Sequence, residues 1–159
     1  MIQYVKMILD HLHGNTRKNN VIFTGFMGAG KTSAGRFYAS HYHMPFIDTD
    51  QEIEKEAGMA ISRIFADKGE EAFRKLETQC LEKLLKTTDG AVISVGGGLP
   101  LREENRELLK KLGLVVYLDV SPETVYKRIG QMCPAVLCFT VMMCRHGSEA
   151  YWMSGSHYI

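Results

Sequence analysis

Gly25, Gly30, Lys31 and Thr32 stand at the spacing G-x-x-x-x-G-K-[ST] inside the run GFMGAGKT. That set of residue types suits phosphate. Glycines let the backbone turn tightly and aim successive N–H groups at one anion, an ammonium adds full charge, and the hydroxyl that follows can ligate Mg²⁺. Lys31 would neutralise the β and γ phosphates of a nucleotide and Thr32 would take the metal, since phosphoryl transfer needs positioning and charge neutralisation more than covalent help. The nucleotide-binding set is therefore Gly28, Ala29, Gly30, Lys31, Thr32 and Ser33, with Gly28 adding freedom to the turn.

Three further clusters have chemical potential, and each has a second reading. Asp48 and Asp50 close the run FIDTD, where one carboxylate could hold Mg²⁺ and the other face an acceptor hydroxyl; either could equally cap the helix that follows. Arg74 and Glu77 lie one helical turn apart in GEEAFRKLE, as a fork for a substrate carboxylate or as a solvated surface ion pair. Gly96, Gly97 and Gly98 end the run VISVGGG, as a place of close backbone approach or as a tight turn.

These residues need a scaffold, and the pattern of apolar runs supplies one. NVIFTG reads as a strand running into the loop, and KTSAGRFYASHY as the helix after it. FID, VIS and LVVYLDV read as further buried strands. Between them, TDQEIEKEAG reads as a helix capped by Thr49 or Asp50 and stopped by Gly58. GEEAFRKLETQCLEKLLKT carries a stripe of Phe73, Leu76, Cys80, Leu81, Leu84 and Leu85 that should face the sheet. REENRELLKKLG is helical, and SPETVYKRIG opens a helix with Ser121 as N-cap and Pro122 at its first position. Alternation of strands and helices implies a mainly parallel sheet covered on both faces, an α/β phosphate-loop architecture.

A chain of 159 residues, 45% hydrophobic, fits one domain with no membrane-length apolar run. The net charge of +1 offers no basic field for nucleic acid. Cys80, Cys133, Cys138 and Cys144 lack the paired spacing of a zinc or redox site and read as free thiols of a cytoplasmic protein. Residues 1–19 read as an N-terminal extension with a short helix, not a signal. From about residue 131 the composition breaks: residues 129–159 hold two formally charged side chains, Arg145 and Glu149.

Taken in order, GFMGAGKT, FIDTD with EIE, IFADKGEEAFRKLE and VISVGGGLP make residues 20–130 resemble shikimate kinase. The resemblance implies a three-layer fold with strand order 2-3-1-4-5, and transfer of the ATP γ-phosphate to the 3-hydroxyl of shikimate by a cytoplasmic monomer using Mg²⁺. It implies that Thr32 and Asp48 hold the metal and that Asp50 contacts the shikimate hydroxyls and serves catalysis with Lys31. Arg74 would grip the shikimate carboxylate, Glu77 and Gly96–Gly98 would shape that pocket, and Arg128 would lie against the nucleotide. The family's lid carries an Arg-Pro-Leu-Leu sequence, and here CPAVL puts Cys133 at the arginine position. Residues 131–159 therefore read as a divergent or out-of-frame segment in place of the lid, last strand and last helix. The alternatives are a nucleotide-binding protein without catalysis and another small-molecule kinase, such as a gluconate kinase.

Overall fold

The computed structural model describes residues 18–130. Up to Asp119 they belong to one compact unit. Its elements are β1 (Asn20–Gly25), α1 (Lys31–Tyr42), β2 (Phe46–Asp48), α2 (Thr49–Ala57), α3 (Ile61–Thr87), β3 (Val92–Ser94), a 3-10 turn (Leu99–Leu101), α4 (Glu103–Leu112) and β4 (Gly113–Leu118). All pairings are parallel, in the order β2-β3-β1-β4. The α/β fold read from the sequence is thus present, and its four strands follow the order 2-3-1-4. Residues 1–17 and 131–159, and with them the divergent segment expected in place of the family's fifth strand, lie outside the described residues.

β1 is buried along its whole length, as a central parallel strand with both faces covered must be. Its alternate side chains feed two cores. Ile22 joins Ile93, Ile53, Leu81, Leu84 and Leu109, which come from the sheet and from α2, α3 and α4. Val21 and Phe23 join Ala39 of α1, Val92 and Leu114 on the opposite face. Helices on both faces make three layers, and the expected stripe of α3 does face the sheet: Phe73, Cys80, Leu81 and Leu84 are buried in that first core, with Leu76 and Leu85 packed at its margin.

Asn20 fastens the lower end of the sheet. Its amide donates to Leu112 O at 2.8 Å and accepts from Ala91 N at 2.9 Å, so one buried side chain replaces backbone partners where β1, β3 and β4 begin.

Three expectations need correction. The cap of α2 is Asp48 of the acidic pair, not Thr49 or Asp50: its Oδ1 accepts from Asp50 N at 3.1 Å, while Thr49 is fully buried and its hydroxyl accepts from Gly96 N at 3.3 Å. Helix α3 begins at Ile61, and Gly69 (φ 78°, ψ 173°) breaks it into segments 61–68 and 70–87. Finally, β4 is buried only at Gly113 and Leu114; Val115, Val116, Tyr117 and Leu118 are half-buried, since among the described residues β4 pairs with β1 alone.

The second unit begins at Val120. It holds α5 (Pro122–Gly130), capped as expected by Ser121, whose Oγ accepts from Thr124 N at 3.3 Å.

Candidate active site

The carboxyl ends of β1, β2 and β3 lie side by side, because Phe23 pairs with Ser94 and Ser94 with Asp48. Ligands of open α/β sheets bind at this edge. From β1 the chain turns through Gly28 (φ 77°) and Gly30 (φ 93°), with Ala29 N donating to Phe26 O at 3.1 Å, and enters α1 at Lys31. No side chain caps α1, so its first-turn N–H groups face the loop, where a helix N-terminus attracts anions. Ser33 is exposed on that turn.

Lys31 folds back over the loop, its Nζ donating to Gly25 O at 2.9 Å and Phe26 O at 3.0 Å. Burial pushes its pKa below the ordinary lysine value, and the charges of Asp50 and Asp48 oppose that displacement. Thr32 Oγ1 donates to Asp48 Oδ2 at 3.1 Å. Hydroxyl and carboxylate therefore meet where a cation bridging to phosphate would sit. Mg²⁺ takes one or two carboxylates and leaves its other positions to water and phosphate oxygens. The donor set fits it, and no group of three or more His, Cys, Asp or Glu that could hold a metal occurs among the described residues.

Asp50 Oδ1 is buried without a hydrogen-bond partner. Burial first, then the neighbouring Asp48 charge, raises the pKa of this carboxyl, while Lys31 pulls the other way. A buried oxygen with no partner costs stability unless something else satisfies it, and such atoms concentrate at functional sites.

Arg74 does not form the solvated pair considered above. Its Nη1 donates to Glu77 Oε2 at 2.8 Å, and Glu77 is 1% exposed. Burial raises the Glu77 pKa, against the pull of the Arg74 hydrogen bond. On its other edge Arg74 is held by Glu70, through Nη2 at 2.9 Å and Nε at 3.2 Å. The sequence reading passed over Glu70, although it stands four residues before Arg74 on the same helical face.

The glycine turn joins these parts. A Cβ on Gly96 would lie 2.9 Å from Asp50 Oδ1 and 3.1 Å from Glu77 Oε1; one on Gly97 would lie 3.3 Å from Gly25 O; one on Gly98 would lie 2.5 Å from Arg74 Nη1. Three successive residues thus touch the two raised carboxyls, the phosphate loop and the guanidinium, and none has room for a side chain. The structure brings together every expected site residue of the first unit. Arg128 lies exposed on α5, in the second unit.

A phosphate loop on a 2-3-1-4 parallel sheet, with a metal-suited Thr–Asp pair beside it, defines the class of phosphate-loop α/β kinase folds. Comparison with known proteins narrows this. The family model described as shikimate kinase matches residues 27–133. Shikimate kinase of Symbiobacterium thermophilum is 45% identical over 109 residues, which are 69% of this chain and 62% of that protein. That of Thioalkalivibrio sulfidiphilus is 48% identical over 113 residues, 71% of this chain and 59% of that protein. Among solved structures, shikimate kinase from Acinetobacter baumannii in complex with shikimate aligns with a TM-score of 0.67 at 40% identity, covering 70% of this chain and 62% of that one. The enzyme from Bacteroides thetaiotaomicron aligns with a TM-score of 0.71 at 30% identity, covering 82% and 80%. The chain belongs to the shikimate kinase family. It spans about six-tenths of the length of these curated relatives.

Proposed function

We propose that the chain binds ATP and shikimate and directs the γ-phosphate to the 3-hydroxyl of shikimate. The observation that carries this is the Gly96–Gly98 turn, which sets an arginine suited to a carboxylate and a carboxyl suited to a hydroxyl against the phosphate loop. In this reading the loop amides and Lys31 hold the β and γ phosphates. Thr32 and Asp48 hold Mg²⁺, which when bound offsets charge on the phosphates. Arg74 grips the shikimate carboxylate at a fixed angle because Glu70 and Glu77 pin its guanidinium. Asp50, ionised, accepts a hydrogen bond from the attacking hydroxyl and takes its proton. Membership of the family speaks against gluconate as the acceptor.

No helix among the described residues is long and apolar enough to cross a membrane. A cytoplasmic monomer acting on small molecules, with no nucleic-acid partner, completes the proposal.

A second reading, nucleotide binding without turnover, draws support from Cys133 at the expected place of the lid arginine. A cation at the transferring phosphoryl group contributes roughly 10³–10⁵ in rate in related systems. The deciding experiment is shikimate-dependent ADP release by the purified chain, with Lys31→Ala as control. Release that the control abolishes supports the kinase; ATP binding with no release supports the second reading.

A further inference from the structure

We propose that Asn105 and Thr78 are positioning residues for substrate recognition, forming a buried brace that sets the distance between the Arg74 guanidinium and the Gly96–Gly98 turn, an inference that rests on the shikimate-binding role of Arg74 proposed above. Asn105, in the first turn of α4, is 0% exposed. Its Nδ2 donates to the carbonyl of Leu99, the residue after Gly98, at 2.9 Å. Its Oδ1 accepts from Thr78 Oγ1 at 2.8 Å, and the same hydroxyl stands 3.2 Å from the carbonyl of Arg74 itself. The single Thr78 proton goes to the nearer acceptor, Asn105 Oδ1, so two hydrogen bonds tie the helix turn that follows Arg74 to the residue that follows Gly98.

The separation it spans has no slack. A Cβ at Gly98 would already be 2.5 Å from Arg74 Nη1, so the turn lies against the guanidinium with only a hydrogen between. Leu99 is fully buried, but apolar burial is non-directional and does not orient its carbonyl. Other fastenings of the same turn lie further out. Arg102 pairs with Glu71 at 2.6 Å and Arg106 donates to Pro100 O at 2.9 Å. Glu71 is exposed, and ion pairs in water hold geometry weakly. A buried amide bonded through both its oxygen and its nitrogen holds it firmly, because the alternative is an unpaired polar group away from water.

A structural role alone predicts something different, and the fold contains the comparison. Asn20 is as deeply buried and makes three side-chain hydrogen bonds where Asn105 makes two, but it sits at the opposite end of β1 from the loop. Asn105→Leu, Thr78→Val, Thr78→Ser and Asn20→Leu would be titrated with shikimate and with ADP by calorimetry, and hydrogen exchange followed in the peptide covering residues 96–102. Asn105→Leu and Thr78→Val are expected to weaken shikimate binding by about tenfold or more, the loss that follows when one hydrogen bond to a charged group is misplaced. ADP affinity should stay within about twofold on the same affinity scale. The Leu99 and Leu101 amides should exchange faster, while Thr78→Ser restores wild-type behaviour. Asn20→Leu should lower the melting temperature and leave the ratio of the two affinities alone. Unchanged shikimate affinity, or loss of both ligands in one proportion, overturns the brace; if Asn105→Leu does not fold, Thr78→Val carries the same test. If the wild type binds ADP but no shikimate, the role of Arg74 falls. Exchange across 96–102 then judges the brace alone, faster exchange supporting it and unchanged exchange overturning it.

Discussion

Asp50 and Lys31 are displaced toward one another on the pH scale, the carboxyl upward and the ammonium downward, with burial the largest cause of both. The proposed phosphoryl transfer needs Asp50 ionised and Lys31 protonated. The profile of kcat/KM against pH should therefore be a bell, its acid limb above the ordinary 3.8 of an aspartate and its alkaline limb below the ordinary 10.5 of a lysine. Stability has the opposite dependence at Asp50. A carboxyl whose pKa is raised on folding stabilises the fold when protonated, and that contribution is lost as pH rises from the unfolded value through the folded one. Asp50→Asn should thus abolish turnover, and it should raise the melting temperature at pH 7 while giving little gain near pH 3. An unchanged melting temperature at pH 7 would mean that the buried Oδ1 carries no such penalty. Gly98→Ala is expected to push the guanidinium off Glu77 and weaken shikimate binding by about tenfold or more, as misplaced binding groups do, with ADP affinity intact. The motif residues could be read from type and spacing, because phosphate recognition restricts both. Glu70 and Thr49 could not, since a surface helix pair and a capping threonine have no mark of function until the fold sets them beside Arg74 and Gly96.

Helix α3 is continuous in the chain and broken in space. At Gly69 the backbone adopts φ 78° and ψ 173°, a region open essentially to glycine alone. Gly69→Ala meets no neighbouring atom, so its cost is conformational, about 1–3 kcal/mol. Urea unfolding should register a loss in that range, and a stability equal to wild type would show that the helix straightens freely. The break explains why the sequence reading began the helix at Gly69: the stripe from Phe73 onward belongs to the segment that restarts there. Segment 61–68 sets Ile61, Ile64 and Phe65 against the core at helical spacing, but about two turns are too few for that period to stand out in sequence. The strands were legible because β1 and β3 are continuous apolar runs. β4 looked the same in sequence, and its lesser burial follows from pairing that no residue of β4 itself records.

Across the molecule, nucleotide binding and folding should be linked. A ligand at 100 times its dissociation constant stabilises the folded state by about 2.7 kcal/mol. ADP with Mg²⁺ is expected to raise the melting temperature of the wild-type chain by several degrees and to leave Lys31→Ala nearly unmoved; equal shifts in both would place the nucleotide elsewhere. The alternation of elements made the layered fold readable from sequence, whereas the joining of three functions at one glycine turn depends on contacts between residues far apart in the chain. The same remoteness governs how the protein can be made. Asn20 at the start of β1 finds its partners at Ala91 and Leu112, separations of 71 and 92 residues. Among the described strands the central one is synthesised first, and its second partner, β4, is synthesised last. At translation rates of ~5–20 residues per second, roughly 5–20 s pass before Leu112 follows Asn20 out of the ribosome. Until β3 is made, the apolar run of Val21, Ile22 and Phe23 has no strand to pair with, so the nascent chain, more than the finished fold, is the species exposed to aggregation.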